Sequence, residues 1–387
     1  MRPTPSPLSS AAPALTDETT LSAALDCLLD HIPLDMQGDC QPETVYEILL
    51  HAASHQDSIE HTTRILEGVP TGNDIRYHLD KLEDISALEA QLNQALASRL
   101  PSGMTKRKQR IAIDLNLLPY YGQSSEVEAA YIYRSKAKAG TTSFFAYATA
   151  YVIRTHQRVT LALHAVPCNE TLVATVTYLL AQLATLKVQL ERLYLDRGFY
   201  SVPMIRWLQT LDIPFLMPAI IRGKIGGTRA LLQGRTSYQT DYTLKSPTYG
   251  QVVCQIRVVC TYQKGRRGRH GVQYFLYVVH RIKVALRATH QHYRDRFGIE
   301  TSYRIKNQCR IRTTTKNPAI RLLFVGISFI LVNLWIYLLW TRITLRRQGG
   351  RLVLRFLFPL KTMLEFLAHA VQRRFPPIHA IVLPDGI

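Results

Sequence analysis

Arg110-Ile111-Ala112-Ile113-Asp114-Leu115-Asn116 alternates in polarity and runs into a turn marked by Pro119, Tyr121 and Gly122. A period of two is the mark of a strand. Ile111, Ile113 and Leu115 face one way, and Ala112, Asp114 and Asn116 the other. Working outward, residues 143–154 and 158–166 are rich in aromatic and β-branched side chains and read as two further strands. A helix over 170–187 follows, then a strand over 192–196 that ends at Gly198. Residues 201–211 form the next helix, with Pro203 tolerated in its first turn. A short strand over 213–217 closes the series.

Three strands, a helix, a strand, a helix and a strand, with one more helix far downstream, is the order of an RNase H-like fold. The expected class is α/β (α+β): a mixed sheet flanked by helices, carrying a β-rich insertion and preceded by an all-helical N-terminal domain. Residues 1–20 are rich in Pro, Ser, Ala and Thr, lack an apolar signal core, and read as a disordered tail. Residues 21–105 hold helical periodicity over 21–32, 43–53, 59–66 and 74–100, with Thr71 or Asn73 available as a cap. A helix–turn–helix or any small bundle gives that pattern, and its acidity favours a bundle serving end binding or dimerisation. The sheet and its covering helices are assigned to 106–218 and 286–345, and strands at 240–244, 252–262 and 272–282 to an insertion over 219–285. A helix over 352–370 lies in the remaining segment, 346–387.

Charge divides the chain. Residues 1–100 carry 5 Lys+Arg against 16 Asp+Glu, and residues 101–387 carry 42 against 12. A body with a balance of +30 calls for a polyanionic partner, most often nucleic acid. The six cysteines show no zinc spacing, which fits reduced thiols in a cytoplasmic protein. Leu322 to Trp340 runs 19 residues without a charge, long enough to span a bilayer. Gly326, Ser328 and Asn333 interrupt it and it stands alone, so the central helix of a large core is the favoured reading, with no membrane partner.

Acids are scarce in the basic body, and three stand out by position: Asp114 on the first strand, Asp196 at a later strand end, and Glu300. Glu300 sits within Tyr293-Arg-Asp-Arg-Phe-Gly-Ile-Glu300-Thr-Ser-Tyr-Arg-Ile-Lys306, where helical spacing puts Tyr293, Arg296, Glu300 and Tyr303 on one face. Phosphodiester chemistry needs an activated oxygen nucleophile and a shield for phosphate charge. Two Mg²⁺ ions about 4 Å apart supply both, and carboxylates are their preferred hard ligands. An aspartate on the opening strand is placed to bridge both ions, with each of the other acids completing one site.

The stretch around Glu300 resembles the tyrosine–arginine–glutamate–lysine signature of DDE transposases from prokaryotic insertion sequences, with the lysine about one residue early. Ile111-Ala-Ile-Asp114 with Pro119-Tyr-Tyr-Gly122, and Leu195-Asp196-Arg-Gly-Phe-Tyr200, are similar to that family's two aspartate motifs. The resemblance covers roughly residues 110–340. It implies a nucleoid-associated enzyme that uses Mg²⁺, or Mn²⁺ in its place, to cut double-stranded DNA at element ends. The 3′-hydroxyl is then joined to target DNA by a homodimer that pairs the two ends. An RNase H-fold nuclease without joining activity, and a catalytically silent DNA-binding descendant, remain alternatives on the residues alone. Asp196 lies 82 residues after Asp114, and Glu300 lies 104 after Asp196. The second gap matches members that carry an inserted sheet and form a DNA hairpin, in which a tryptophan stacks on a flipped base. This segment has no Trp, so that role would fall to Tyr238, Tyr242 or Tyr249, or be missing.

By the same resemblance, Tyr293, Arg296 and Lys306 contact phosphates near the element terminus, with Tyr303 on the same face. Arg296 and Arg304 lie one turn on either side of Glu300, so ion pairing with it is the competing role. Lys264, Arg266 and Arg267 in the loop Lys264–His270, together with Arg310, Arg312 and Lys316, are expected to give salt-sensitive backbone contacts. His156 and His164 read as core or surface residues, Asp212 and Asp295 as poor ligands, and Trp207 as packing.

Overall fold

The computed structural model describes residues 14–38, 40–101, 103–153, 158–223, 226–264, 270–348 and 350–380. Five helices lead it: α1 (Asp17–His31), α2 (Pro42–His55), α3 (Ile59–Ile65), α4 (Gly72–Leu79) and α5 (Ile85–Ser98). Thr16 and Thr71 start α1 and α4 with capping boxes, each side chain accepting from the N3 amide. The first of these draws residues 17–20, expected in the tail, into α1; residues 1–13 lie outside the described residues. The single helix expected over 74–100 is two, because the Asp84 carboxylate accepts from the Ala87 amide and opens α5 afresh.

The sheet has nine strands: β1 (Gln109–Pro119), β2 (Ile132–Lys138), β3 (Thr141–Val152), β4 (Thr160–Ala165), β5 (Leu190–Leu195), β6 (Phe215–Pro218), β7 (Tyr238–Ser246), β8 (Gly250–Lys264) and β9 (His270–His280). β3 is antiparallel to β1, and β4 is antiparallel to β3. β5 runs parallel to β1, and β6 parallel to β5. The succession β4-β3-β1-β5-β6 is the RNase H-like core. β2, which sequence periodicity did not bring out, pairs with the first half of β3. β9 pairs with β6, and β8 and β7 follow, so the strands of the insertion continue the same sheet.

Helices α6 (Glu126–Ala129), α7 (Leu172–Thr185), α8 (Val202–Thr210), α9 (Thr289–Arg294), α10 (Phe297–Lys306) and α11 (Pro318–Thr341) complete the body. α11 contains the uncharged run, nearly all of it buried within the chain, and is the one described helix long and apolar enough to cross a membrane. It packs against α5, β4 and α10. Its polar residues are satisfied inside: Asn333 accepts from the Thr160 amide at 3.0 Å and donates to the Thr160 and Leu96 carbonyls, while Ser328 donates to the Cys309 carbonyl. At Gly326 the backbone of α11 meets the Leu92 side chain of α5 so closely that a Cβ would collide with it.

Where a helix was expected from residue 352, the chain first forms a hairpin of β10 (Thr344–Arg347) and β11 (Gly350–Val353); α12 (Leu360–Arg374) starts only after Pro359. α12 lies across α1 and α2. Arg373 pairs with Asp17 and Glu18, and Arg374 with Glu43 and Glu47. One buried apolar cluster runs from Leu21 to Val371, so the helical front, the sheet, α11 and α12 share a core. All six cysteines are free.

Candidate active site

Parallel pairing of β1 with β5 aligns Ile113 with Leu195, so Asp114, midway along β1, lies beside Asp196, which follows the last residue of β5. α10, which carries Glu300, and the preceding α9 are each stapled over them by one tyrosine. Tyr303 Oη donates to the Asp114 carbonyl at 3.2 Å and shares a 2.8 Å hydrogen bond with Thr149 Oγ1 on β3. Tyr293 Oη donates to the Leu195 carbonyl at 3.3 Å, next to Asp196. The backbone between α9 and α10 stays in the helical region but turns at Asp295 and Arg296.

Arg296 reaches from that turn into the space between the acids. Its guanidinium lies 3.0 Å from Asp114 Oδ2, 3.6 Å from Asp196 Oδ1 and 3.6 Å from Glu300 Oε1. Burial pushes the Asp114 carboxyl up to about 6; Arg296 opposes that rise and the other two acids add to it. Burial also works against the Arg296 charge, but the three carboxylates outweigh it and hold its pKa above the ordinary value. Asp196 and Glu300 are half-exposed and open onto a cleft of about 550 Å³ lined also by Asn116, Tyr133, Lys138, Phe199 and Arg304.

Three carboxylates meeting at one cation form the hard oxygen donor set that divalent ions favour, and in that chemistry the residues suit a metal. Among the described residues, no group of three His, Cys, Asp or Glu is spaced to ligate an ion as it stands. The acids are gathered instead by Arg296.

Four residues expected at DNA phosphates sit differently. Tyr293, Arg296 and Lys306 are buried, and the Tyr303 hydroxyl is committed to β1 and β3, so all four are engaged within the protein. For Arg296 the ion-pairing alternative describes the observed contacts. Lys306 stacks its ammonium on Phe329, and burial lowers its pKa to about 8. The physical reason is position: the face shared by Tyr293, Arg296, Glu300 and Tyr303 looks onto the sheet. Arg304, Arg310 and Arg312 are exposed. Arg304 lines the acidic cleft, while Arg312 donates its backbone amide to the Asp57 carbonyl at the helical front. Lys316 Nζ donates to the Gln123 carbonyl. Arg266 and Arg267 lie outside the described residues, as does His156; Lys264 ends β8, and its side chain is not described.

Of the tyrosines considered for base stacking, Tyr238 donates to the Leu231 carbonyl and Tyr242 packs on the core, whereas Tyr249 is 58% exposed. His164 is a core residue, held between Glu89 and Glu170. Asp212 pairs with His280 and Arg281. Asp295 turns away from the acids to a second cleft of about 450 Å³, lined by Arg107, Lys108, Arg110 and Arg158. Sequence reading missed Thr149, Tyr133 and Lys138 at the site. The alternating run Ile132-Tyr-Arg-Ser-Lys-Ala-Lys138 was the available signal for the latter two.

An RNase H-like sheet with aspartates on neighbouring parallel strands and a helix-borne glutamate defines a class of nucleic-acid-processing protein. The chain belongs to the transposase DDE domain family, whose match spans residues 105–334. Among solved structures it is similar to a piggyBac transposase synaptic complex with hairpin DNA seen by cryo-electron microscopy. The TM-score is 0.54 at 11% identity, over 92% of this chain and 78% of that one. No curated protein matches the sequence.

Proposed function

We propose that this transposase cuts double-stranded DNA at the ends of its own mobile element and joins the freed 3′-hydroxyls to target DNA. The observation that carries the reading is the meeting of Asp114, Asp196 and Glu300 at one point beside an open cleft in a basic body. Asp114, central and most buried of the three, would hold divalent ions together with Asp196 and Glu300. Mg²⁺ bound by these acids, or Mn²⁺ in its place, would supply nucleophile activation and charge shielding on the scissile phosphate. In the first step water oxygen attacks phosphorus and the strand's 3′-oxygen leaves. In the second that 3′-hydroxyl attacks a target phosphate, and the target's own 3′-oxygen departs. Arg304 faces the cleft where phosphate charge builds. Arg107, Lys108 and Arg158 offer a further cationic cleft for backbone that extends beyond the site. Two ends must be paired, so a homodimer is the working unit, acting at the nucleoid of a prokaryotic cytoplasm.

The test uses duplexes carrying the inverted repeats that flank the gene, with Mg²⁺. Wild type is expected to release labelled ends and join them to plasmid target, and Asp196→Ala to lose both by at least about 10³-fold. Undiminished cleavage by Asp196→Ala would sink the proposal. Cleavage without joining would reduce the protein to a nuclease.

A further inference from the structure

A buried arginine that serves structure alone spends its five N–H donors on fixed acceptors. Arg296 does not. Its side chain is 4% exposed, yet its Nε–H has no hydrogen-bond partner among the described residues. Its charged end meets Asp114, Asp196 and Glu300 at 3.0, 3.6 and 3.6 Å, with the Tyr293 ring 5.8 Å away. Carboxylates this close repel one another when all are ionised, unless a cation lies among them. The Tyr303 and Tyr293 hydroxyls fix the helix that delivers Arg296, so the guanidinium is held at the point the acids share.

We propose that Arg296 is a resident counter-cation. It holds the acidic triad together before divalent ions arrive, and it competes with them for the same carboxylate oxygens. This rests on the reading above that the triad takes divalent ions. Loading then exchanges one cation for others, and the guanidinium must yield the oxygens it holds. The guanidinium thus holds the acids together and at the same time weakens their grip on metal.

The experiment is thermal unfolding and calorimetry of the full chain with Mn²⁺ as probe, without DNA, comparing wild type, Arg296→Gln and Arg296→Lys. In EDTA, Arg296→Gln is expected to melt roughly 5 °C below wild type. Mn²⁺ is expected to restore most of that loss and to bind this variant about tenfold more tightly than wild type. Arg296→Lys, which keeps the charge, should fall between the two; if Arg296→Gln does not fold, the Lys variant carries the comparison through its gain in Mn²⁺ affinity. A uniform loss of stability, with Mn²⁺ affinity unchanged by either substitution, would make Arg296 a merely structural residue and overturn this inference alone. Failure of all three chains to bind Mn²⁺ would overturn the metal reading as well.

Discussion

At the scale of single residues, charges taken out of water explain most of what the site does. His164 makes the point away from the acidic triad. Its Nδ1 faces Glu89 at 2.9 Å and its Nε2 faces Glu170 at 3.0 Å, so both ring nitrogens need a proton to donate. Burial alone lowers its pKa, but hydrogen bonding and attraction to the two glutamates win, and the net direction is upward. A raised folded pKa adds stability that is complete below the ordinary value of about 6.5 and fades as pH rises through the folded one. Denaturant melts from pH 6 upward should therefore show declining stability in wild type, and His164→Gln should lose that slope; an identical slope in both would exclude this cluster. The same scale shows what sequence can and cannot say. Asp114, Asp196 and Glu300 were legible because an acid is conspicuous in a body of 42 basic and 12 acidic residues. The duties of Tyr293, Tyr303 and Arg296 were not, because helical spacing tells which side chains share a face but not what lies across from them. The partners are a carbonyl 98 residues away, one 189 residues away and the acids themselves.

Elements were read best where they are long and strongly patterned. β1, β3, β4, α7 and α11 all lie close to where periodicity put them, whereas β2 is mostly exposed, with little apolar signal to give it away. The break between α4 and α5 was missed because apolar spacing continues across it and only the Asp84 cap interrupts it. The extension of the sheet through β9, β8 and β7 could not be read locally, since pairing of β6 with β9 joins Phe215 to His280 across the whole insertion. α11 posed an ambiguity of solvent rather than of structure: hydropathy cannot tell lipid from protein interior. Its burial resolves the matter in favour of the core, and the contact of Gly326 with Leu92 gives a test at that scale. Gly326→Val should cost about 1–3 kcal/mol by overpacking, against the modest gain a helix makes on losing a glycine. Chemical denaturation measures it, and a neutral or stabilising outcome would show that α5 and α11 do not meet as described.

At the scale of the whole molecule, the acidic front and the basic body are complementary parts of one core. Arg373 and Arg374, near the end of the chain, close on acids of α1 and α2. Glu47 is the buried member of that set, its carboxyl raised chiefly by burial and held down by Arg374. Arg374→Ala should destabilise by about 1–3 kcal/mol at neutral pH, because Glu47 is left buried without its cation, and by less in acid as Glu47 takes up a proton. A loss that stays constant with pH would point to packing instead. Closure by α12 also bears on how the protein is made. The uncharged stretch that forms α11 leaves the ribosome after the five leading helices and the main sheet, and before the segment that seals it. Until partners close on it, that stretch has the length and composition of a membrane-spanning segment. Its main partners, above all α5, come earlier in the chain, so they stand ready to cover it as soon as it forms.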